Sequence, residues 1–405
     1  MISRRQMLKT AGSVAIGAAG GMTLSGFAAR AAETVVLPFA NGERPLVTYP
    51  GKRPLIGQTA RPPQLETPFS VFNEGIITPN DAFFVRYHLA DVPLDIDPAA
   101  YRIEVKGSVD NALSLSLDEL KALHDPVEIV AVHQCSGNSR GFFEPRMGGG
   151  QSGNGAMGNA RWKGVPLKAV LDKAGVKAGA VQVSFNGLDG PALPETPDFV
   201  KALDIDRARD GEVMIAYGMN GEDLPWLNGF PVRLVVPGWY GTYWVKHLSE
   251  ITVLDKPLDN FWMQKAYRIP DNDCTCTEAG KPADKTVPIN RFKVRSFITS
   301  VAGGDKVGAD APLKLRGIAF DGGSGIKEVS ISIDGGKTWQ PTTLGEDLGK
   351  YSFREWTATV KLPRGEHDLK VRATANDGAI QPETQPWNPS GYMRNVIETT
   401  KVIAA

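Results

Sequence analysis

Cysteine and histidine are scarce in this chain, at three and five of 405 residues. The scarcity excludes several chemistries. An odd number of thiols cannot form a complete intramolecular disulfide framework, so at least one cysteine is left without a partner in the chain. No Cys-x-x-Cys-His occurs, hence no signal for c-type haem attachment. Cys274 and Cys276 have no further Cys or His beside them and cannot supply the ligands of a structural zinc site. An excess of one charge is also missing: Lys plus Arg equals Asp plus Glu at 45 each, and nothing in that balance points to nucleic acid. The glycine-rich run RMGGGQSGNGAMGNA (146–160) lacks the Lys-Ser/Thr of a phosphate loop and is not read as a nucleotide cradle.

The first 31 residues read as a targeting segment. SRRQMLK (3–9) is a twin-arginine box, followed by the small, apolar TAGSVAIGAAGGMTLSGFAA and the cleavage pattern Ala29-Arg30-Ala31. The apolar part is short and glycine-rich, so the expectation is removal and not a retained membrane anchor. Removal takes away Arg4, Arg5, Lys9 and Arg30 and no acid, leaving 41 positive against 45 negative charges in a soluble periplasmic product. The twin-arginine route exports folded proteins, often with a cofactor installed, so a prosthetic group is expected.

Glycine (44) and proline (29) are plentiful and suggest much loop and strand. Residues 33–80, rich in Pro, Gly and Asn, read as an extended arm over a domain. AFFVRYHLA (82–90) is strand-like, YRIEVKG (101–107) alternates with period two, and SLDELKALH (116–124) opens with Ser116 and Glu119 in capping-box spacing. VEIVAV (127–132) should be a buried strand with HQCSGNSR (133–140) on the loop leaving its C-terminal end, a common place for chemistry. VPLKAVLDKAGV (165–176) predicts a short helix between Pro166 and Gly175. Strands and short helices mix without regular alternation, which predicts an α+β domain over 32–285. From 286 to 405 about seven short strands spaced by turns suggest an immunoglobulin-like β-sandwich, reached through a polar linker at 271–288.

The residues alone leave Cys135 three roles: metal or cofactor ligand, nucleophile with His133 two positions away, or inert buried thiol. Nearby Arg140 favours a thiolate. Cys274 and Cys276 read as a local disulfide or as two exposed thiols. Arg86 and His88 share a face of the expected strand, either for function or as an ordinary ion-paired Arg and a satisfied His. Arg233 and Lys246 flank strands and a Pro-Gly turn as an anion site or a solvated edge would have them.

Taken in order, FFVRYH, HQCSGNSR, WKGVPLKAVL, FNGLDG, MNGEDLPWLNGFPVRLVVPGWYGTYWVKHL, SISIDGGKTWQ and QPWNPSGYMRN resemble the sulfite oxidase family of molybdenum enzymes, over nearly the whole chain after residue 31. The likeness is greatest to the bacterial periplasmic sulfite dehydrogenases. The resemblance implies molybdenum-molybdopterin in the first domain, with Cys135 as the protein ligand to molybdenum. By similarity the pterin is held by Phe84, Val85, Arg86, Tyr87 and His88, by Asp189, by Asn228 and Arg233, and by Trp244, Val245 and Lys246. Asn228 stands where many members have His. Arg86 and Arg140 match pocket arginines and Tyr267 matches the active-site tyrosine. A third arginine usual after Trp-Asn-x is Ser390 here, and the expectation is that Arg394 reaches the same place.

The activity implied is oxidation of sulfite to sulfate, with two electrons leaving singly to a separate c-type cytochrome, since animal relatives use a fused haem domain with no counterpart motif here. A homodimer through the C-terminal domain is implied as well. Two alternatives stand beside it: another oxidoreductase on the same scaffold, acting on nitrate or a sulfoxide, and a cofactor-free binding protein that has lost activity.

Overall fold

The computed structural model describes residues 33–405, so the targeting segment expected over 1–31 lies outside the described residues. The stretch read as an extended arm folds instead into a five-stranded antiparallel sheet: Thr34–Val36, Glu43–Val47, Leu55–Thr59, Gln64–Glu66 and Val85–Arg86, in that spatial order. Strands of two to five residues broken by Pro and Gly turns are too short to display a period in sequence. Leu55, Leu65, Val85, Tyr87 and Leu227 give this sheet its own small core.

Two further sheets carry the catalytic region. In one, Val127–Gln134 pairs antiparallel with Met157–Pro166, which pairs in turn with Met214–Met219. In the other, Gln182–Gly187 lies between Lys201–Asp204 and Leu248–Leu254, and the latter runs parallel to Ile103–Gly107. Helices are few and short. Leu117–Ala122 begins at the Ser116–Glu119 capping box, and Leu167–Ala174 ends at Gly175 in the left-handed conformation. Among the described residues no α-helix exceeds eight residues, so the α+β expectation gives way to a mostly β fold: helical patterns last one or two turns, the longest of them stopped at Gly175.

In the C-terminal region, a sheet of Arg295–Ile298, Pro312–Phe320, Arg354–Lys361 and Thr343–Leu344 faces a second sheet whose centre is Glu398–Ala404, Gly365–Ala375 and Ile326–Ser332. Gly365–Ala375 alternates in burial, and its inward Leu369, Val371 and Ala373 share one core with Leu315, Val329, Ile331 and Trp356. Each such large side chain withdrawn from water contributes about 1.5–3 kcal/mol before entropy is counted. This region is tied to the catalytic sheets: the Val132 N–H donates to the Tyr351 carbonyl at 2.9 Å, and Asn159 Nδ2 donates to Ser352 Oγ at 3.0 Å. Cys274 and Cys276 form a disulfide, which leaves Cys135 as the free thiol.

The strand expected over 82–90 shrinks to Val85–Arg86. Its flanking carbonyls are taken by side chains instead of a neighbouring strand: Lys52 Nζ donates to Phe83 O at 3.0 Å, Asn228 Nδ2 to Phe84 O at 3.1 Å and Lys246 Nζ to Arg86 O at 2.6 Å. An extended segment held in this way keeps its shape and leaves one side free to form a pocket wall.

Candidate active site

Cys135 follows directly on Val127–Gln134, and its N–H donates to Ala156 O at 2.9 Å. The chain then turns sharply, with Asn138 N–H closing on Cys135 O at 3.0 Å and Ser139 left-handed at φ 69°. The turn aims Arg140 back toward the thiol's side of the sheet. Room for the guanidinium is made by Gly137 and Gly149, where a Cβ would come within 3 Å of it. Arg140 Nε donates to Ser390 O at 3.1 Å and its guanidinium lies 5.0 Å from the Tyr392 ring, so a turn of the C-terminal region forms part of the seat.

Two connected spaces meet at Cys135. The outer one is a cleft of about 550 Å³ whose lining includes Arg86, Cys135, Arg140, Tyr267, Ser390 and Tyr392. The inner one is narrow and lined by Phe84, Arg86, His88, Cys135, Asp189, Trp244, Val245 and Lys246, together with His133, Ser136 and Thr242. Four of the five residues expected at the substrate thus converge on one cleft, and eight of the twelve expected at the cofactor line the inner space; Val85 lines the outer cleft.

Four of the expected residues do not line either space. Arg394 does not line the cleft: it pairs with Glu398, which also takes Arg295 at 2.9 Å, and lies over the Phe142 ring at 5.0 Å. A strong local carboxylate thus captures the arginine that the sequence places near Ser390. Asn228 is buried with its amide used twice, Oδ1 accepting from Lys52 Nζ at 2.5 Å and Nδ2 donating to Phe84 O. It supports the pocket wall and does not face the space. Tyr87 turns to the opposite side of its strand, where its hydroxyl meets His247 Nε2 at 2.6 Å. Arg233 is fully buried behind the wall, between the rings of Trp162 (5.1 Å) and Trp244 (5.7 Å), and donates to Asn228 O at 2.8 Å and Trp244 O at 3.0 Å.

The electrostatics are those of a site with more buried cations than anions. Burial lowers the Lys246 ammonium, opposed by Asp189, and burial likewise pushes Arg233 down to about 9. His133 and His88 are driven well below the ordinary histidine value by burial and then by the neighbouring cations, so both are neutral. His133 stacks on Trp244 at 4.6 Å. His88 stacks on Phe199 at 3.7 Å and its Nε2 meets the Tyr267 hydroxyl. Tyr267 is raised by burial, with Arg86 opposing, and stays a neutral hydrogen-bond donor.

Molybdopterin, an anionic phosphate-bearing group rich in acceptors, can be tested against these residues. His133 Nδ1, Ser136 Oγ and Thr242 Oγ1 are buried at the inner space with no protein partner, and Lys246 donates to the Arg86 carbonyl with Asp189 as its opposing charge but forms no direct ion pair among the described residues. Buried polar atoms without partners are rare, and buried cations without anions are costly. The donor set fits the group. Cys135 supplies a thiol where the two spaces meet.

Comparison with known proteins agrees. Residues 88–262 match the family described as oxidoreductase molybdopterin binding domain, and residues 286–404 match the Mo-co oxidoreductase dimerisation domain. These matches define a molybdopterin-dependent oxidoreductase. A mitochondrial sulfite oxidase of Macaca fascicularis is 33% identical over 392 residues, covering 92% of this chain and 70% of that protein. The chain belongs to the sulfite oxidase family, and its prosthetic group is the molybdenum cofactor. An NADH nitrate reductase of Solanum lycopersicum is 31% identical over 359 residues, 82% of this chain and 39% of that protein. The solved sulfane dehydrogenase SoxCD of Paracoccus pantotrophus has the same fold, with TM-score 0.71, 23% identity and coverage of 95% and 92% of the two chains.

Several lining residues escaped the sequence reading. Ser136 and Thr242 lie inside quoted motifs but are too common in loops to stand out. Tyr392 and Trp262 reach the cleft from distant segments. Gly241 is needed because a Cβ there would meet His133 Nε2 at 2.5 Å, a constraint that only the fold reveals.

Proposed function

We propose that this protein oxidises sulfite to sulfate and passes the electrons singly to an external c-type cytochrome, as a periplasmic homodimer joined through an immunoglobulin-like C-terminal domain. The observation that carries the reading is the convergence of Arg86, Arg140 and Tyr267 on the cleft that Cys135 lines. Bound to the Cys135 thiolate, the molybdenum cofactor supplies oxygen-atom transfer and a store for two electrons. The surrounding residues do the rest. Phe84, Arg86, His88, Asp189 and Trp244 to Lys246 would hold the pterin, while Arg233 adds charge from behind the wall. Arg86 and Arg140 present planar guanidiniums to an oxyanion, for which forked hydrogen bonds are well suited. Tyr267, with its hydroxyl on neutral His88, holds a proton beside the substrate oxygens.

Molybdenum analysis of purified protein together with sulfite-dependent reduction of cytochrome c tests the reading. About one metal per chain and sulfite turnover are expected, and Cys135→Ser should abolish turnover while circular dichroism stays native. A metal-loaded protein that does not oxidise sulfite would remove the proposal. A second reading, nitrate reduction, is favoured by one observation: Ser390 and Arg394 leave the cleft without a third arginine. The same preparation assayed with nitrate and a reduced dye decides between them.

A further inference from the structure

We infer that the cleft also accepts organic sulfinates, R–SO2−, and oxidises them to sulfonates; this rests on the sulfite reading above. The first observation is size. Sulfite has four heavy atoms and needs roughly the space of two waters at about 30 Å³ each, whereas the cleft measures about 550 Å³. Only Phe84, Arg86, Cys135 and Tyr267 of its lining are shared with the inner space, so its outer part, from Arg140 to Phe261, is separate from the inner wall.

The second observation is the wall. Phe261, Trp262, Tyr267 and Tyr392 form a continuous aromatic ladder, with successive ring centroids at 5.1, 6.2 and 5.5 Å, from the mouth down to Arg140. Phe261 is 45% exposed at the mouth, yet it is not on a loose loop. It opens the short helix Phe261–Gln264, capped by the Asn260 side chain accepting from Met263 N at 2.9 Å, and Trp262 Nε1 is anchored to Pro197 O at 3.0 Å. An ordered aromatic face left open to solvent beside a cationic floor is suited to a ligand with an apolar body and an anionic head. For a small oxyanion alone such a face does nothing, and a wholly cationic funnel would serve better.

The third observation is charge. Ser390 brings no cation and Arg394 is held by Glu398, so the floor has two arginines, with Lys265 at the rim. That complement suits a monoanion. A sulfinate carries a sulfur lone pair as sulfite does, and the reaction balances without breaking a bond to R: R–SO2− and H2O give R–SO3−, two protons and two electrons. The new S–O bond forms at sulfur, its oxygen derives from water, and the electrons leave by way of the cofactor to the one-electron acceptor that serves sulfite.

The test compares sulfite, methanesulfinate and benzenesulfinate as substrates of the holoenzyme with ferricyanide or cytochrome c as acceptor, with the sulfonate identified by mass spectrometry. Isothermal titration of benzenesulfonate and methanesulfonate into the oxidised holoenzyme gives a readout independent of turnover. Expected are benzenesulfonate formation, at least about a tenfold preference for the phenyl compound in kcat/KM and in binding, and a several-fold fall of that preference in Phe261→Ala. Sulfite turnover with no sulfonate formed, or with no phenyl preference, overturns the inference while leaving the sulfite reading intact. Loss of turnover on every substrate overturns both. If Phe261→Ala changes only the KM of a protein acceptor, the ladder is a docking face for that acceptor and the inference fails.

Discussion

Arg233 is fully buried, and among the described residues no carboxylate pairs with it. Replacing it with Met, of similar length, should therefore separate its effect on the bare protein from its effect on cofactor retention. Burial holds the guanidinium down to about 9 from an ordinary 12.5. At about 1.4 kcal/mol for each pH unit, the buried charge costs the folded protein about 5 kcal/mol. Against this stand two hydrogen bonds to the Asn228 and Trp244 carbonyls and two ring contacts. Charged hydrogen bonds contribute about 1.5–3 kcal/mol each and cation–π contacts about 0.5–2. Together these contribute about 4–10 kcal/mol against about 5, so the charge ranges from break-even to stabilising, and the cofactor-free Arg233→Met protein should lie within about 5 kcal/mol of the unaltered one in urea unfolding. Cofactor retention should respond differently. A cofactor anion bound on the other side of the Trp244 wall would gain on the order of 2–3 kcal/mol from the charge, or roughly 30- to 100-fold in affinity. Molybdenum content after purification and dialysis should fall steeply, with Arg233→Lys recovering part of it. Full metal content in Arg233→Met, or a loss above about 5 kcal/mol in the bare protein, would refute the reasoning.

Three shorter predictions follow from other parts of the molecule. Arg394→Met should leave the KM for sulfite within about threefold of the unaltered value in steady-state assay, and lower stability by about 1–3 kcal/mol because Glu398 keeps only Arg295. Gly391→Ala places a Cβ against Met147 and Arg140 at a backbone φ of +61° and should both destabilise the protein by about 1–3 kcal/mol and raise the KM for sulfite, read by thermal melts and kinetics. Burial alone would raise the Glu212 carboxyl, but hydrogen bonds from Lys350, Tyr351 and Arg207 outweigh it and hold it at about 2. Its stabilisation is therefore fully present above pH 4.5 and is lost as pH falls toward 2. After allowance for partial exposure it amounts to about 1 kcal/mol, and Glu212→Gln should flatten the acid limb of the unfolding midpoint against pH by that much.

Local signals were readable in the sequence, and long-range side-chain direction was not. The Ser116–Glu119 capping box and the Gly175 stop depend on residues within one or two turns, and both appear where the spacing puts them. Cys135 at a strand end is of the same kind. The early sheet was missed because its strands are too short for a period to register. Tyr87, Asn228 and Arg233 sit in the right motifs, yet alternation along an extended chain turns Tyr87 to His247, and Lys52 and the tryptophans claim the other two. Glu398, four residues on, was a local competitor for Arg394 that the sequence did contain, but that it also takes Arg295 from a distant strand shows only in the fold.

The seat of Arg140 includes a carbonyl 250 residues further along the chain. During synthesis, then, Cys135 and the pterin wall emerge from the ribosome long before the turn at Ser390 that closes the cleft over them. Until that turn docks, Arg140 lacks the Ser390 carbonyl and the Tyr392 ring that seat it, so the anion-binding side of the cleft is set only when the whole chain is folded.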